Sequence, residues 1–143
     1  MNRLTPIIEY KHPESENEFE ASIDSRLRII LFTLAGFVYH NFGKTITITE
    51  LMRTQEQQDE YYANNPDYKK EKWSSPHQFG RGADLRITYY TDEEIQMIEL
   101  FLNLNFKYND YSGFETALVH NTGMGRHLHI QVNTGRTTDI VKV

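Results

Sequence analysis

His127-Leu128-His129-Ile130-Gln131-Val132 decides how this chain is read, because its residue types alternate with period two. In a strand, successive side chains point to opposite faces. Leu128, Ile130 and Val132 therefore share a face that asks for a core, while His127, His129 and Gln131 share the other. The alternation predicts a strand that buries its apolar side and displays imidazoles on the far side. Taken alone, such a pair also suits hydrogen-bonded histidines on an edge strand, so a second element has to decide.

That element is Ser74-Ser75-Pro76-His77-Gln78-Phe79-Gly80-Arg81-Gly82-Ala83-Asp84-Leu85. Residues 83–89 alternate again, so Asp84 shares a face with Arg86 and Thr88 while Ala83, Leu85 and Ile87 face the core. His77 comes from the preceding loop, and Gly80 and Gly82 let the backbone fold tightly enough to return it toward Asp84. A solvated Asp and a loop His would be the plain reading without the histidine strand. With it, two imidazoles and a carboxylate match a catalytic zinc site: His77, Asp84 and one of His127 and His129 as ligands, the fourth position left to water. One such ion would lower the pKa of water toward ~7 and polarise a substrate carbonyl, so the implied chemistry is hydrolysis.

The bulk composition is consistent with that chemistry. The chain has 143 residues and no cysteine, which excludes disulfides and thiolate ligands and leaves histidine and carboxylate as the strong metal ligands. Its length suits a single domain over residues 1–143. With 38% hydrophobic and 24% charged residues it reads as globular. A net charge of -5 argues against nucleic acid or an anionic membrane as a partner. The N-terminus has neither the basic flank nor the apolar run of a signal peptide, so no export by that route is expected. The apolar run from Ile29 to Tyr39 falls short of the roughly 20 residues that span a bilayer and reads as a core helix.

The rest of the chain predicts an α+β fold, a small antiparallel sheet with flanking helices. Residues 1–20 are polar, with Pro6 and Pro13, and read as an N-terminal arm. Leu27, Ile30, Leu31, Leu34 and Val38 recur at helical spacing, and that helix ends near Asn41 and Gly43. Ile46 and Ile48 alternate with threonines as a strand with one buried face. Thr54 with Gln57, and Thr91 with Glu94, form capping boxes, the first opening a helix to about Ala63. Between them residues 64–79 read as a long loop bordering a site. The closing strands fall near Phe114–Val119 and His127–Val132.

Ser75-x-His77-x-x-Gly80-x-Gly82-x-Asp84 resembles the Ser-x-His-x-x-Gly-x-Ala-x-Asp motif of the zinc D-alanyl-D-alanine peptidases, and His127-x-His129 resembles their second motif. The wider group includes lysostaphin-type endopeptidases and the hedgehog signalling domains. The resemblance spans roughly residues 45–133 and implies a hedgehog/DD-peptidase-like fold, one Zn2+ held by His77, Asp84 and His129, and His127 as catalytic partner. Arg53 resembles the Arg that in these peptidases contacts substrate and stabilises developing negative charge, a task suited to a permanently charged planar fork. Ser75 would hydrogen-bond substrate. Three departures stand out. Gly82 replaces the usual Ala, Leu51-Met52 stands where Gly-Tyr is common, and Arg126 takes the place of a Glu that often acts as general base. That duty passes to His127, Glu50 or Glu115.

The resemblance thus implies a zinc peptidase acting on peptidoglycan stem peptides, as a carboxypeptidase or an endopeptidase. Without a leader, a phage lysis or virion-associated enzyme is the expected source. Two other classes remain in view. His127-Leu128-His129-Ile130-Gln131-Val132 also matches one branch of the histidine-triad nucleotidyl transferases and hydrolases, in which His129 would be the nucleophile. A non-catalytic zinc domain that binds peptidoglycan or a protein is the other. His12 and His40 lie outside both motifs and read as surface or helix-end residues, His120 as a strand-end histidine or one that supports a ligand rather than being one, and Tyr61, Tyr62, Tyr68 and Trp73 as packing.

Overall fold

Among the described residues up to 20, Phe19 is the large apolar side chain that is buried, and it ties this stretch to the body of the protein. The computed structural model describes residues 7–67, 76–109, 112–122 and 125–133. Ile8–Tyr10 forms strand β1, and Glu14–Ala21 forms helix α1, which packs Phe19 edge-on against Tyr10 and Phe32. The expected arm is therefore part of the fold from residue 7. Three strand residues and a polar helix with a single aromatic anchor carry too little periodicity to be seen in sequence.

Helix α2, Ser25–Phe42, is the one the apolar spacing predicts. Asp24 caps its start by accepting the Arg26 N–H, and Gly43 closes it at φ 65°, the left-handed position that suits a residue without Cβ. Leu27, Ile30, Leu31, Leu34 and Val38 are wholly buried. Strand β2, Ile46–Glu50, follows, then helix α3, Gln55–Tyr61, which stops short of the expected Ala63. A 3-10 turn over Pro76–Phe79 leads into strand β3, Gly82–Arg86. Helix α4, Asp92–Asn105, precedes the hairpin of β4, Ala117–Thr122, and β5, Gly125–Gln131. Both capping boxes form as read.

The strands make a five-stranded sheet in the order β1-β2-β3-β5-β4, so the fold is α+β. The sheet is mixed and not purely antiparallel, because β1 runs parallel to β2 while the other pairings are antiparallel. A parallel neighbour needs a crossover between the strands, here supplied by α1 and α2. Helix α2 packs on α4 and β2, and α4 on β4, which puts the core on one face of the sheet. Ile46, Ile48, Ala83, Leu85, Leu128 and Ile130 are buried there. β2 departs from the one-sided burial expected of it, because Thr47 is also buried and bonds the Tyr89 hydroxyl. Strand β3 lies in the middle of the sheet and offers its opposite face to the site.

Candidate metal centre

Asp84 occupies that central strand, with its side chain on the face away from the core. In the ladder it pairs with His129 of β5 on one side and Glu50 of β2 on the other. Between Ile48 and Glu50 the register shifts. Such irregularities re-aim side chains next to functional sites. The 3-10 turn delivers the third group, His77, which packs under β3 and is 2% exposed. Two glycines permit this approach. Gly80 has φ 70° and sits against the backbone of Ser22 and Ile23, and a Cβ on Gly82 would lie 3.0 Å from Pro76 Cβ and 3.2 Å from the His77 nitrogen.

His77, Asp84 and His129 are all buried, and their ligating atoms lie within 4.8 Å of one another. The tautomers follow from the outer partners. The Leu51 carbonyl can only accept, so the Nδ1–H of His77 donates to it at 3.0 Å and Nε2 is turned toward Asp84 Oδ1 at 3.2 Å. Gln131 donates its amide N–H to the Glu115 carbonyl, which leaves Oε1 to accept the Nε2–H of His129 at 3.2 Å. His129 Nδ1 then faces the same Asp84 oxygen at 2.9 Å. Two imidazole lone pairs and a carboxylate oxygen thus converge, and they repel unless a cation or protons lie between them. The donor set fits a metal ion, with each histidine oriented by a second hydrogen bond, as is usual for ligating imidazoles.

Protons can stand in for the cation at this point, and the electrostatics describe that protonated form. Burial works to raise the pKa of Asp84, but the bonds and charges of His129 and His77 outweigh it and hold the carboxyl well below its usual range. Burial of His77 works to lower its pKa, and the Asp84 carboxylate reverses the sign and raises it.

The other expected residues fall into three groups. His127 lines the same cavity, of about 450 Å³, and donates from Nδ1 to the Gly125 carbonyl at 3.1 Å. Its Nε2 is 3.7 Å from Asp84 Oδ1, further out than the nitrogens of the other pair. Arg53 also lines the cavity, but its Nε and Nη2 are each 2.7 Å from the Glu50 carboxylate and its Nη1 is 2.7 Å from Gln58 Oε1. Burial opposes that charge, and the Glu50 carboxylate more than restores it, so the Arg53 pKa is raised. Glu50 is therefore committed to an ion pair, whereas Glu115 stands exposed at the cavity rim. Ser75 lies outside the described residues, as do Tyr68 and Trp73.

His120 is the residue the motifs did not reveal. It pairs across the hairpin with His127 and stacks on His129, rings parallel with centroids 5.2 Å apart. Burial, His129 and His127 all push its pKa down. The signal in the sequence was alternation: once Thr122 pairs with Gly125, residue 120 faces 127 on the imidazole side. No helix among the described residues is long and apolar enough to cross a membrane. No protein-family model matches the chain, and no curated protein matches it at a significant level.

Proposed function

We propose that this protein is a zinc-dependent peptidase acting on bacterial cell-wall stem peptides, with a hedgehog/DD-peptidase-like fold. The observation that carries the proposal is the convergence of His77 Nε2, His129 Nδ1 and Asp84 Oδ1, three buried acceptors aimed at one point and all belonging to the two motifs. Two nitrogens and one carboxylate oxygen, with a cavity of about 450 Å³ beside them, are the ligand set and setting of a catalytic zinc. A zinc ion held there would act as a Lewis acid toward a carbonyl and make water a stronger nucleophile near neutral pH.

The chain's own groups do the rest. With its Nδ1 proton held by the Gly125 carbonyl, His127 keeps Nε2 as a proton acceptor beside Asp84. It accepts a proton from the attacking water and returns it to the departing amine. This choice among His127, Glu50 and Glu115 follows from position, since Glu50 is held by Arg53 and Glu115 stands at the rim. Arg53 contributes positive charge in the cavity wall, where it steadies the oxygen that becomes negative. Gln131 holds His129, and the Leu51 carbonyl holds His77, so neither ring has to reorient.

Metal analysis of the purified protein together with turnover of a muropeptide tests the proposal. One zinc per chain with release of an amine product is the expected result. Absence of metal uptake would sink it, and zinc without turnover would transfer the site to a binding role.

A further inference from the structure

The cavity that holds the metal group does not end there. A second cavity of about 490 Å³ adjoins the first, and Asp84 and His127 line both. The two lie on either side of these shared side chains, as two arms about the metal group.

The arms differ in the state of their arginines. Arg53, on the first, is held by Glu50 and Gln58. The second carries two: Arg126, exposed and 3.5 Å from Asp92 Oδ1, and Arg86, which sits on β3 two residues after Asp84, on the same face, and pairs in register with His127. Arg86 is half-buried and has no hydrogen-bond or ion-pair partner among the described residues. Two acidic residues of this arm are already engaged, Glu50 by Arg53 and Glu18 by the Met52 N–H at 3.2 Å. A guanidinium partly withdrawn from water beside a cleft gains from a planar anion that can accept two of its N–H groups. Asp84 and Arg86 stand two positions apart on the strand, about 7 Å, and the Arg stem can cover that distance back toward the metal group.

We propose that Arg86 is the specificity-determining residue of this cleft, gripping a substrate carboxylate that lies about one residue beyond the scissile carbonyl. The inference rests on the peptidase reading and deepens it. It moves carboxylate recognition from Arg53, whose fork is engaged, to the other arm, and leaves Arg53 to the developing oxyanion. The substrate is then a peptide with a free carboxylate adjoining the bond cut, whether a chain terminus or a side-chain acid.

The test is calorimetric titration of wild type, Arg86→Gln and Arg86→Lys, each dialysed against zinc, with N-acetyl-D-alanyl-D-alanine and with its C-terminal amide. Wild type is expected to prefer the acid. Arg86→Gln should weaken acid binding roughly ten- to hundredfold, the worth of a charge-assisted hydrogen bond, and leave amide binding unchanged. Arg86→Lys should recover part of the loss. An acid preference that survives in Arg86→Gln, or a wild type that shows none, overturns the proposal. The peptidase reading is judged separately, by zinc content and muropeptide turnover, so each can fail without the other.

Discussion

Asp84 and His129 face each other across the β3–β5 ladder, and Asp84 Oδ1 lies 2.9 Å from His129 Nδ1. The contact joins two residues 45 positions apart, so an ion at this point cross-links the hairpin to the centre of the sheet. Asp84→Asn and His129→Ala should each lose zinc. His127→Ala should keep it while the rate falls by about 10²–10⁴, the usual worth of a general base. Metal stoichiometry and single-turnover rates on the same preparations check this. Loss of zinc in His127→Ala as complete as in His129→Ala would make His127 a ligand instead.

His120 stacks on His129 without belonging to the group that could hold a metal ion. His120→Phe should therefore retain one zinc per chain and near wild-type thermal stability, since the aromatic face against His129 is preserved. Equilibrium dialysis and a melting curve measure both. If zinc is lost, His120 takes part in holding it.

Removing zinc with a chelator should lower the melting temperature without unfolding the protein. Only the folded state gathers the ligands, so binding adds stability by mass action, about 4 kcal/mol at a thousandfold excess over the dissociation constant. The apolar core on the other face of the sheet does not involve the ligands. Calorimetry of the apo and zinc forms gives the difference.

Gly82→Ala should weaken zinc binding more than it weakens the fold. The new Cβ would press on Pro76 and on the His77 backbone, with His129 Cε1 at 3.4 Å, so the turn carrying His77 has to move. Overpacking of this kind costs about 1–3 kcal/mol. Urea unfolding of the apo protein, set beside zinc affinity, separates the two effects.

Asp24 supplies the pH dependence. It caps α2, and its bonds to the Arg26 side chain hold its pKa below the usual carboxylate value despite partial burial. A depressed folded-state pKa contributes stability at neutral pH that is lost as acid protonates the group. Asp24→Asn keeps an amide cap and removes the charge, and the pair keeps enough contact with water to be screened. Its cost at pH 7 should be under about 1 kcal/mol and should fade below about pH 3–4. Denaturant midpoints for both proteins at several pH values measure the fading.

What was legible in the sequence was whatever a local period or a short spacing encodes. The α2 stripe, both capping boxes and the alternation around Asp84 and His129 are of that kind; the stripe and the boxes appear where the pattern put them, while β3 ends at Arg86, short of the expected Tyr89, and β4 starts at Ala117 and not near Phe114. What was not legible depends on partners far away in the chain. β1 exists because residues 46–48 lie parallel to it, and nothing in Ile8-Glu9-Tyr10 announces that. The pairing of Arg53 with Glu50 needs the loop after β2 to curl back on itself, which residue types alone do not specify. His120 and Arg86 become neighbours of the site only once the strand registers are known.

The segment after β2 and the turn carrying His77 are joined twice, by the Arg53 N–H to the His77 carbonyl and by the His77 ring to the Leu51 carbonyl. Both acceptors are main-chain oxygens, which every amino acid supplies. The orientation of the ring is therefore written in the path of the backbone and is indifferent to the identity of residue 51 or 52. Substitutions at Leu51 and Met52 can then alter the wall of the cleft without disturbing how His77 is held. The lining of the cleft and the placement of His77 are separately mutable along one short stretch of chain, so either can change while the other stays fixed.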